Sequence, residues 1–301
     1  MKSTPSRTIA MCGAALALVL TSTPAAFATQ TEGAIDSVES VVPGLLDGAS
    51  SHSHAPLDAS SAITAKNGDL SVDIPVEPSR GIAIDGHSAH PITIGLPFAD
   101  SASDFEVGNG AIASSDNGNG SQTVALARED NAVQVLSVIQ DSDAPVKYAY
   151  PLDLPAGATL HKTGTTVEVR DGLGVPFGEF SEAWAFDSAG KQVPTRYEIS
   201  GDTLIQYVEH DTAFTYPVVA DPTYNYYWSR AQVENAWNAI NVADNTCKWV
   251  ALPGIAGSVC GMSPAVKDAI TQAHYQKKRV KAVYISCGFN YCSTYRYYVV
   301  K

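Results

Sequence analysis

Aromatic side chains and cysteines are missing from long stretches of this 301-residue chain. No aromatic residue occurs between Phe27 and Phe98, and no cysteine occurs between Cys12 and Cys247. A segment without large apolar side chains buries too little surface to offset its ordering entropy. We therefore predict that residues 29–65 form a disordered leader, and that any disulfides lie near the C-terminus.

Basic residues are scarce in the first two thirds of the chain. Between Thr29 and Asp221 there are 28 acidic residues against 8 basic ones, whereas the segment from Pro222 to Lys301 has 3 against 9. Such an asymmetry indicates two modules, of which the second is able to meet an anionic surface.

Long hydrophobic runs are also lacking, apart from one near the N-terminus. Lys2 and Arg7 precede an apolar run over 9–20, and residues 26–28 read Ala-Phe-Ala. This order is typical of a secretory signal peptide, residues 1–28. The run is roughly half of the ~20 residues that a membrane-spanning helix needs. We expect a secreted protein, extracellular or associated with the cell wall.

Four cysteines follow the expected cleavage point: Cys247, Cys260, Cys287 and Cys292. An even number in an exported chain predicts two disulfides. We favour Cys247–Cys260 with Cys287–Cys292, while the four cysteines allow three connectivities. Zinc is the alternative, but the usual close spacing of its ligands is absent, so we expect neither a metal nor a cofactor.

Alternation with a period of two dominates residues 66–222. It is clearest in 70–74, 123–126, 132–136, 166–169 and 204–208. Gly, Asn and Asp separate these segments, and the clearest hairpin joins 196–199 to 203–208. Many short strands with such turns predict an antiparallel β-sandwich-like domain.

The β-rich region ends on Tyr216-Pro217-Val218-Val219-Ala220-Asp221-Pro222-Thr223. This segment resembles the YPVxADPT-like ending of a β domain in actinobacterial exported proteins of unknown function, many of which continue into a short cysteine-bearing tail. The resemblance spans residues 90–301 and implies an architecture and an exported location, without an activity. We expect Tyr-Pro-Val-Val to form a last, buried edge strand, and Asp-Pro-Thr to turn the chain away.

Residues 223–301 change to a helical period. Ser229 followed by Gln232 is a capping box, and Ser263-Pro264 is a typical start of a second helix. We expect 249–257 to be the buried connection of a helical hairpin. A β-hairpin follows, in which the pairs on one face are Val280–Val299, Ala282–Tyr297, Tyr284–Tyr295 and Cys287–Cys292.

The predicted fold is therefore α+β. An antiparallel β-sandwich-like domain, residues 66–222, is followed by a small disulfide-stapled module of two helices and a β-hairpin, residues 223–301.

Cations interleaved with tyrosines form the candidate binding site. This cationic patch consists of Lys277, Lys278, Arg279, Lys281, Arg296 and Tyr298. Such residues suit teichoic acids, phospholipid headgroups or acidic glycans. The alternative is that the patch docks onto the acidic β domain of the same chain. We do not expect nucleic acid as a partner.

Catalytic candidates in the β-rich region lack order. The histidines at 87, 90, 161 and 210 have acids and serines in the same region, but no G-x-S-x-G occurs. Glu179 with Glu182, Asp141 with Asp143, and Asp85 are acids without the recognisable arrangement of a glycosidase. We interpret 209–211 as a solvated turn.

The sequence thus favours a non-enzymatic, exported surface or effector protein whose cationic module contacts an anionic cell-envelope surface. In a bacteriocin-like variant, cleavage near Tyr224–Ser229 releases that module. The alternatives are a secreted hydrolase with its site in the β domain, and a protein-binding or inhibitor module that uses the 288–291 loop.

Overall fold

A computed structural model describes residues 25–50, 53–54, 59–67, 70–86, 90–108, 111–130, 132–241, 249–252, 255–258, 262–285 and 294–300. Within these ranges the chain is mostly antiparallel β-sheet. The helices are α1 (Ala25–Val41), α2 (Arg230–Asn241) and α3 (Pro264–Tyr275).

The strands follow one another along the chain with short connections. The first eleven are β1 (Ser53–His54), β2 (Ser61–Asn67), β3 (Leu70–Pro75), β4 (Ile82–Gly86), β5 (Ile92–Ile94), β6 (Glu106–Gly108), β7 (Ile112–Asp116), β8 (Ser121–Ala127), β9 (Ala132–Ile139), β10 (Lys147–Asp153) and β11 (Thr159–Thr163). The others are β12 (Thr166–Arg170), β13 (Pro176–Phe180), β14 (Ala185–Asp187), β15 (Thr195–Ser200), β16 (Thr203–Val208), β17 (Val218–Ala220), β18 (Thr223–Tyr226), β19 (Trp249–Leu252), β20 (Ile255–Ser258), β21 (Arg279–Ile285) and β22 (Thr294–Val300).

Most of these strands form two large sheets. The first sheet has the order β1-β2-β3-β4-β5-β10-β16-β15, and the second has the order β11-β12-β13-β18-β9-β8-β7-β6, with β17 between β9 and β14. One apolar cluster takes side chains from both sheets, including Ile74, Tyr148, Phe180 and Tyr224. The prediction of antiparallel, sandwich-like β architecture with a few helices is confirmed.

Alternation located these strands because each inward side chain enters that cluster while its neighbour points away. All five alternating segments lie in strands, namely β3, β8, β9, β12 and β16. The predicted hairpin is β15–β16, with Gly201 at a φ of 59° in its turn. Glycine adopts this left-handed conformation without steric cost.

Helix α1 begins within the predicted signal peptide and runs on into residues 29–65, which the sequence predicted to be disordered; strand β1 lies in that segment and β2 begins there. Ala34, Val38 and Val41 of α1, together with Leu45 after it, are buried against the second sheet. Their small side chains suffice because the sheet supplies the partners: Ile112, Val124, Leu126, Leu136, Val138 and Val219. Residues 29–65 therefore contribute an ordered helix, although they contain no aromatic residue.

The Tyr216–Thr223 segment departs from its predicted role as a final edge. Strand β17 is buried as expected, but it pairs with β9 on one side and β14 on the other. After Asp221-Pro222 the chain does not turn away, since β18 continues along β9 and also pairs with β13. Pro222 fits here because its carbonyl accepts from Val135 N at 3.0 Å, a contact that needs no N–H. The sheet therefore extends past residue 222.

The C-terminal helices have the predicted caps and packing. Ser229 N donates to Gln232 Oε1 at 3.0 Å, and Gln232 N donates to Ser229 Oγ at 3.1 Å, which is the capping box. Ser263 caps α3, with Pro264 in the first turn. Both helices pack in a cluster of their own with Trp228 and Val280.

The C-terminal β-hairpin has the predicted register, with Val280 opposite Val299, Ala282 opposite Tyr297 and Tyr284 opposite Tyr295. The expected helical connection is wrong, because β19 and β20 pair as a second hairpin. The short apolar segment 249–257 fits a strand as well as a buried connection, so its sequence pattern alone did not distinguish the two. The cysteines Cys247, Cys260, Cys287 and Cys292 lie outside the described residues.

Candidate functional site

The outer face of the second sheet carries a patch of polar side chains, here called the polar floor. Glu179 on β13 lies opposite Glu168 on one side and Asn225 on the other. In the next row, Ser181 N bonds Thr223 O at 3.0 Å, and Thr223 pairs with Gln134 on β9. Directly paired residues share a face, so these side chains all point away from the core. The polar floor consists of Gln134, Thr166, Glu168, Glu179, Ser181, Thr223 and Asn225.

A cleft of about 590 Å³ lies over this floor. Its lining includes Val42 and Leu45 after α1, Trp184 just before β14 and Phe186 on it, and Lys281, Val283 and Tyr298 from the C-terminal hairpin. The rings of Trp184 and Phe186 contact each other with centroids 5.8 Å apart. The cleft thus has a polar base and partly aromatic walls, and its volume is within the range of small-molecule sites.

A chain of hydrogen bonds runs through the base of the cleft. Arg128 Nη1 donates to Gln134 Oε1 at 2.8 Å, and Gln134 Nε2 donates to Asp221 Oδ1 at 3.1 Å. Thr223 Oγ1 also donates to Asp221 Oδ1, at 2.6 Å. Asp130 forms an ion pair with Arg128. All of these charged groups are buried, so each depends on its neighbours to replace water.

Asp221 is a fully buried carboxylate in this series of hydrogen bonds. Its side chain is fully buried, and its Oδ2 atom has no hydrogen-bond partner among the described residues. Burial raises the pKa of Asp221 to about 6, although the hydrogen bonds from Thr223 and Gln134 and the charge of Arg128 oppose the shift. Asn225, also buried, donates to Ser181 Oγ at 2.7 Å while its Oδ1 is without a partner among the described residues. Two acceptor atoms at the base of the cleft thus lack a donor among the described residues.

The predicted cationic patch is divided by the fold. Lys281 forms an ion pair with the buried Glu179, which also accepts from Tyr227 Oη at 3.0 Å. Arg279 Nη1 donates to Pro176 O at 3.3 Å. Lys281 Nζ also lies 5.4 Å from the centre of the Tyr298 ring. Arg279 and Lys281 therefore contact the β-rich part of the chain, and Lys281 and Tyr298 form a wall of the cleft.

The other members of the patch face outward. Lys277, two residues after α3, and Arg296, on β22, are exposed, and Lys278 is half-buried. Tyr275 precedes this group and has 71% of its surface exposed. An outward cationic surface thus exists, but it is smaller than the sequence predicted.

The remaining catalytic candidates are dispersed. His210 is not in a solvated turn as expected: it is buried, with Nδ1 2.9 Å from Tyr216 Oη and Nε2 3.1 Å from Pro145 O. His90 stacks on Phe177, and His161 is exposed beside Thr159. Asp141 caps its own turn. Of the acids that the sequence singled out, Glu179 and Glu182 both line the cleft. His87 lies outside the described residues.

The segment proposed for cleavage, Tyr224–Ser229, is difficult for a protease to reach. Tyr224, Tyr226 and Trp228 are buried, and β18 lies between β9 and β13. Release of the C-terminal module would require the second sheet to open. The 288–291 loop lies outside the described residues.

Most of the polar floor was missed by sequence reasoning. Gln134 and Asn225 lie in strands and Ser181 directly follows one, and no sequence motif marks any of the three. The available signal was Gln134, a single amide between Val133 and Val135 in an otherwise apolar run. Asp221 was noticed, but was interpreted as part of a turn.

No protein-family model, curated protein or solved structure matches this chain. In the described part of the chain, no helix has the length and apolar character needed to cross a membrane.

Proposed function

We propose that this chain is an exported protein that binds a hydroxyl-rich ligand, of the saccharide class, in the polar cleft. The observation that carries the proposal is the pair of buried acceptor atoms at its base, Asp221 Oδ2 and Asn225 Oδ1, which have no partner among the described residues. Leaving such atoms unpaired costs free energy that a bound hydroxyl donor would recover.

The surroundings of these atoms favour hydroxyl groups over other donors. Ser181 and Thr223 on the floor both donate and accept, and Lys281 adds a donor from the wall. A ligand that matches such a mixture must itself donate and accept at several points, as sugar hydroxyls do. Trp184 and Phe186 offer apolar surface to the C–H face of a sugar ring.

The buried charge of Asp221 also supports a functional role. An acid whose pKa is raised by burial destabilises the folded protein at neutral pH, where an amide would serve the same hydrogen bonds without that cost. Residues that reduce stability in this way cluster at functional sites.

Binding is favoured over hydrolysis by the condition of the acids. Glu179 is engaged by Lys281 and Tyr227, so this carboxylate is not free to act as the acid or base of a hydrolysis. The secreted-hydrolase alternative would gain support if a bound saccharide were cleaved.

The test is a screen of immobilised glycans followed by calorimetry with the best hit. We expect measurable affinity that falls at least about tenfold, or 1.4 kcal/mol, in Asp221→Asn and in Trp184→Ala. Asp104→Asn, an exposed residue outside the cleft, is the matched control and should bind normally. If no saccharide binds, or if both cleft variants bind it with the same affinity as the wild-type protein, the proposal fails.

A second candidate function uses the outward part of the cationic patch. Lys277 and Arg296 are exposed, and the exposed Tyr275 resembles the aromatic residues that lie at membrane interfaces. These residues would contact an anionic envelope surface. The test is co-sedimentation of the full chain with vesicles that contain phosphatidylglycerol. Binding should weaken with salt and in Lys277→Glu/Arg296→Glu. Equal binding to neutral vesicles would exclude this candidate.

A further inference from the structure

A second cavity of about 450 Å³ adjoins the cleft. Thr166, Glu179 and Lys281 line both cavities, so the two meet at these side chains. The second cavity extends over β12 and the end of β11, where Thr163, Glu168 and Arg170 line it.

We propose that the two cavities form one groove, and that its ligand is an oligosaccharide rather than a single sugar. This inference rests on the proposed function, because it extends the same site and takes the same class of ligand. It assigns the second cavity as a subsite for further sugar units of the chain.

The floor of the groove is continuous. Asn225, Glu179 and Glu168 are direct neighbours on β18, β13 and β12, so their side chains cross both cavities in one row. Strands are about 4.8 Å apart, which gives this row a span of about 10 Å. A chain of sugars lying across the strands would therefore meet polar groups over this span.

The side chain between the cavities is one that can move. Lys281 contributes its ammonium to Glu179 from the C-terminal hairpin, and the same Nζ lies 5.4 Å from the centre of the Tyr298 ring. A lysine has a flexible four-carbon stem and three donors, so it can bond a sugar hydroxyl and Glu179 together, or swing aside. Neither change needs the backbone of β21 to move.

The second cavity offers the same chemistry as the first. Arg170 Nε donates to Glu168 Oε2 at 2.8 Å, and Arg170 Nη2 lies 2.7 Å from the same oxygen. Both contacts use the same carboxylate oxygen, and the guanidinium has further N–H donors beyond these two. Donors and acceptors thus stand side by side, as hydroxyl groups require.

The experiment measures affinity as a function of chain length. Fragments of one to six units of the best-bound glycan are titrated into the full chain by calorimetry. Affinity should rise about tenfold beyond the length that fills the first cavity, because added units gain contacts in the second. The variant Thr163→Trp, which narrows only the second cavity, should remove this gain and leave short fragments bound as before.

Thr159→Trp on the same strand lines neither cavity and is the matched control. Thermal melting of both variants shows whether they fold like the parent chain. Short fragments that bind while longer ones gain nothing would overturn the groove and leave the proposed function standing. A gain with length that survives in Thr163→Trp would also overturn it. If no saccharide binds at all, the proposed function and the groove both fail.

Discussion

The outer face of the second sheet has two halves that differ in what covers them. Under α1 it is apolar, with Leu126, Leu136 and Val138 packed against the helix. Beside it lies the polar floor, over which the cleft opens. Strand β9 crosses the border, since Leu136 belongs to the first half and Gln134, two residues earlier on the same face, belongs to the second. The same alternation of side chains along β9 therefore supplies both a packing surface and a candidate site. The two halves differ in that α1 packs on the apolar one and the cleft lies over the polar one.

The largest effect should come from making the helix-covered half polar. Leu136→Gln places an amide in a dry contact, removes apolar packing and leaves polar atoms without partners. We expect a loss of about 4 kcal/mol in the free energy of unfolding. Urea denaturation at pH 7 measures it. A loss below about 1 kcal/mol would mean that α1 does not seal this half of the face.

The next effect concerns the buried acid of the cleft. Burial raises the pKa of Asp221 to about 6 in the folded chain, against 3.8 for an aspartate in water. The wild-type protein should therefore lose stability as pH rises from about 4 to about 6, because the folded state holds the proton more tightly over that range. Asp221→Asn removes this dependence and should be up to about 3 kcal/mol more stable at pH 8.

Denaturation of wild type and Asp221→Asn at pH 4.5 and pH 8 separates this effect from a general one. The difference between the two proteins should be small at the lower pH and large at the higher one. A variant that is less stable at both values would show that the charge of Asp221 stabilises the fold, contrary to our account.

The reciprocal change, Gln134→Leu, makes the polar half apolar. It removes the amide that joins Arg128 to Asp221 and leaves both charges with less hydrogen bonding. We expect a loss of about 2 kcal/mol, even though leucine is the more apolar residue. Chemical denaturation checks this, with Gln140→Leu as the matched control variant because Gln140 is exposed and its amide donates to Gln122 outside the buried network. If Gln134→Leu were more stable than the wild-type protein, the polar half of the face would tolerate an apolar side chain as well as the half under α1 does, contrary to our account.

The smallest effect distinguishes docked from outward cations. Lys281→Met removes the ion-pair partner of the buried Glu179. We expect a loss of about 1 kcal/mol in the free energy of unfolding, because Lys281 is partly exposed and water screens the pair. Lys277→Met, at an exposed position, should change stability by less than about 0.5 kcal/mol. Equal values for the two variants would indicate that the hairpin contact with β13 contributes nothing.

The sequence predicted those parts of the fold that depend on residues close in sequence or on directly paired strands. The alternating strands, the capping box at Ser229 and the register that sets Val280 opposite Val299 all follow from side chains close in sequence or directly paired. Helix α1 could not be found this way, because Ala34 and Val38 gain their burial energy only from a sheet far along the chain.

The candidate site was predictable only in fragments for the same reason. Glu179 was noticed as an acid, and Lys281 as a cation, but their pairing joins residues about a hundred positions apart. Asp221 looked like a turn residue because Asp-Pro commonly is one. Its burial comes from β9 on one side and from Trp184, whose carbonyl accepts Asp221 N at 3.1 Å, on the other.

The position of β18 has a consequence for how the molecule assembles. Residues 223–226 fill the gap between β9 and β13, so a chain that ends before them would present two open strand borders to other molecules. The second sheet cannot be completed until this late tetrapeptide has emerged. We therefore expect truncation at residue 222 to give aggregates in place of a stable β domain.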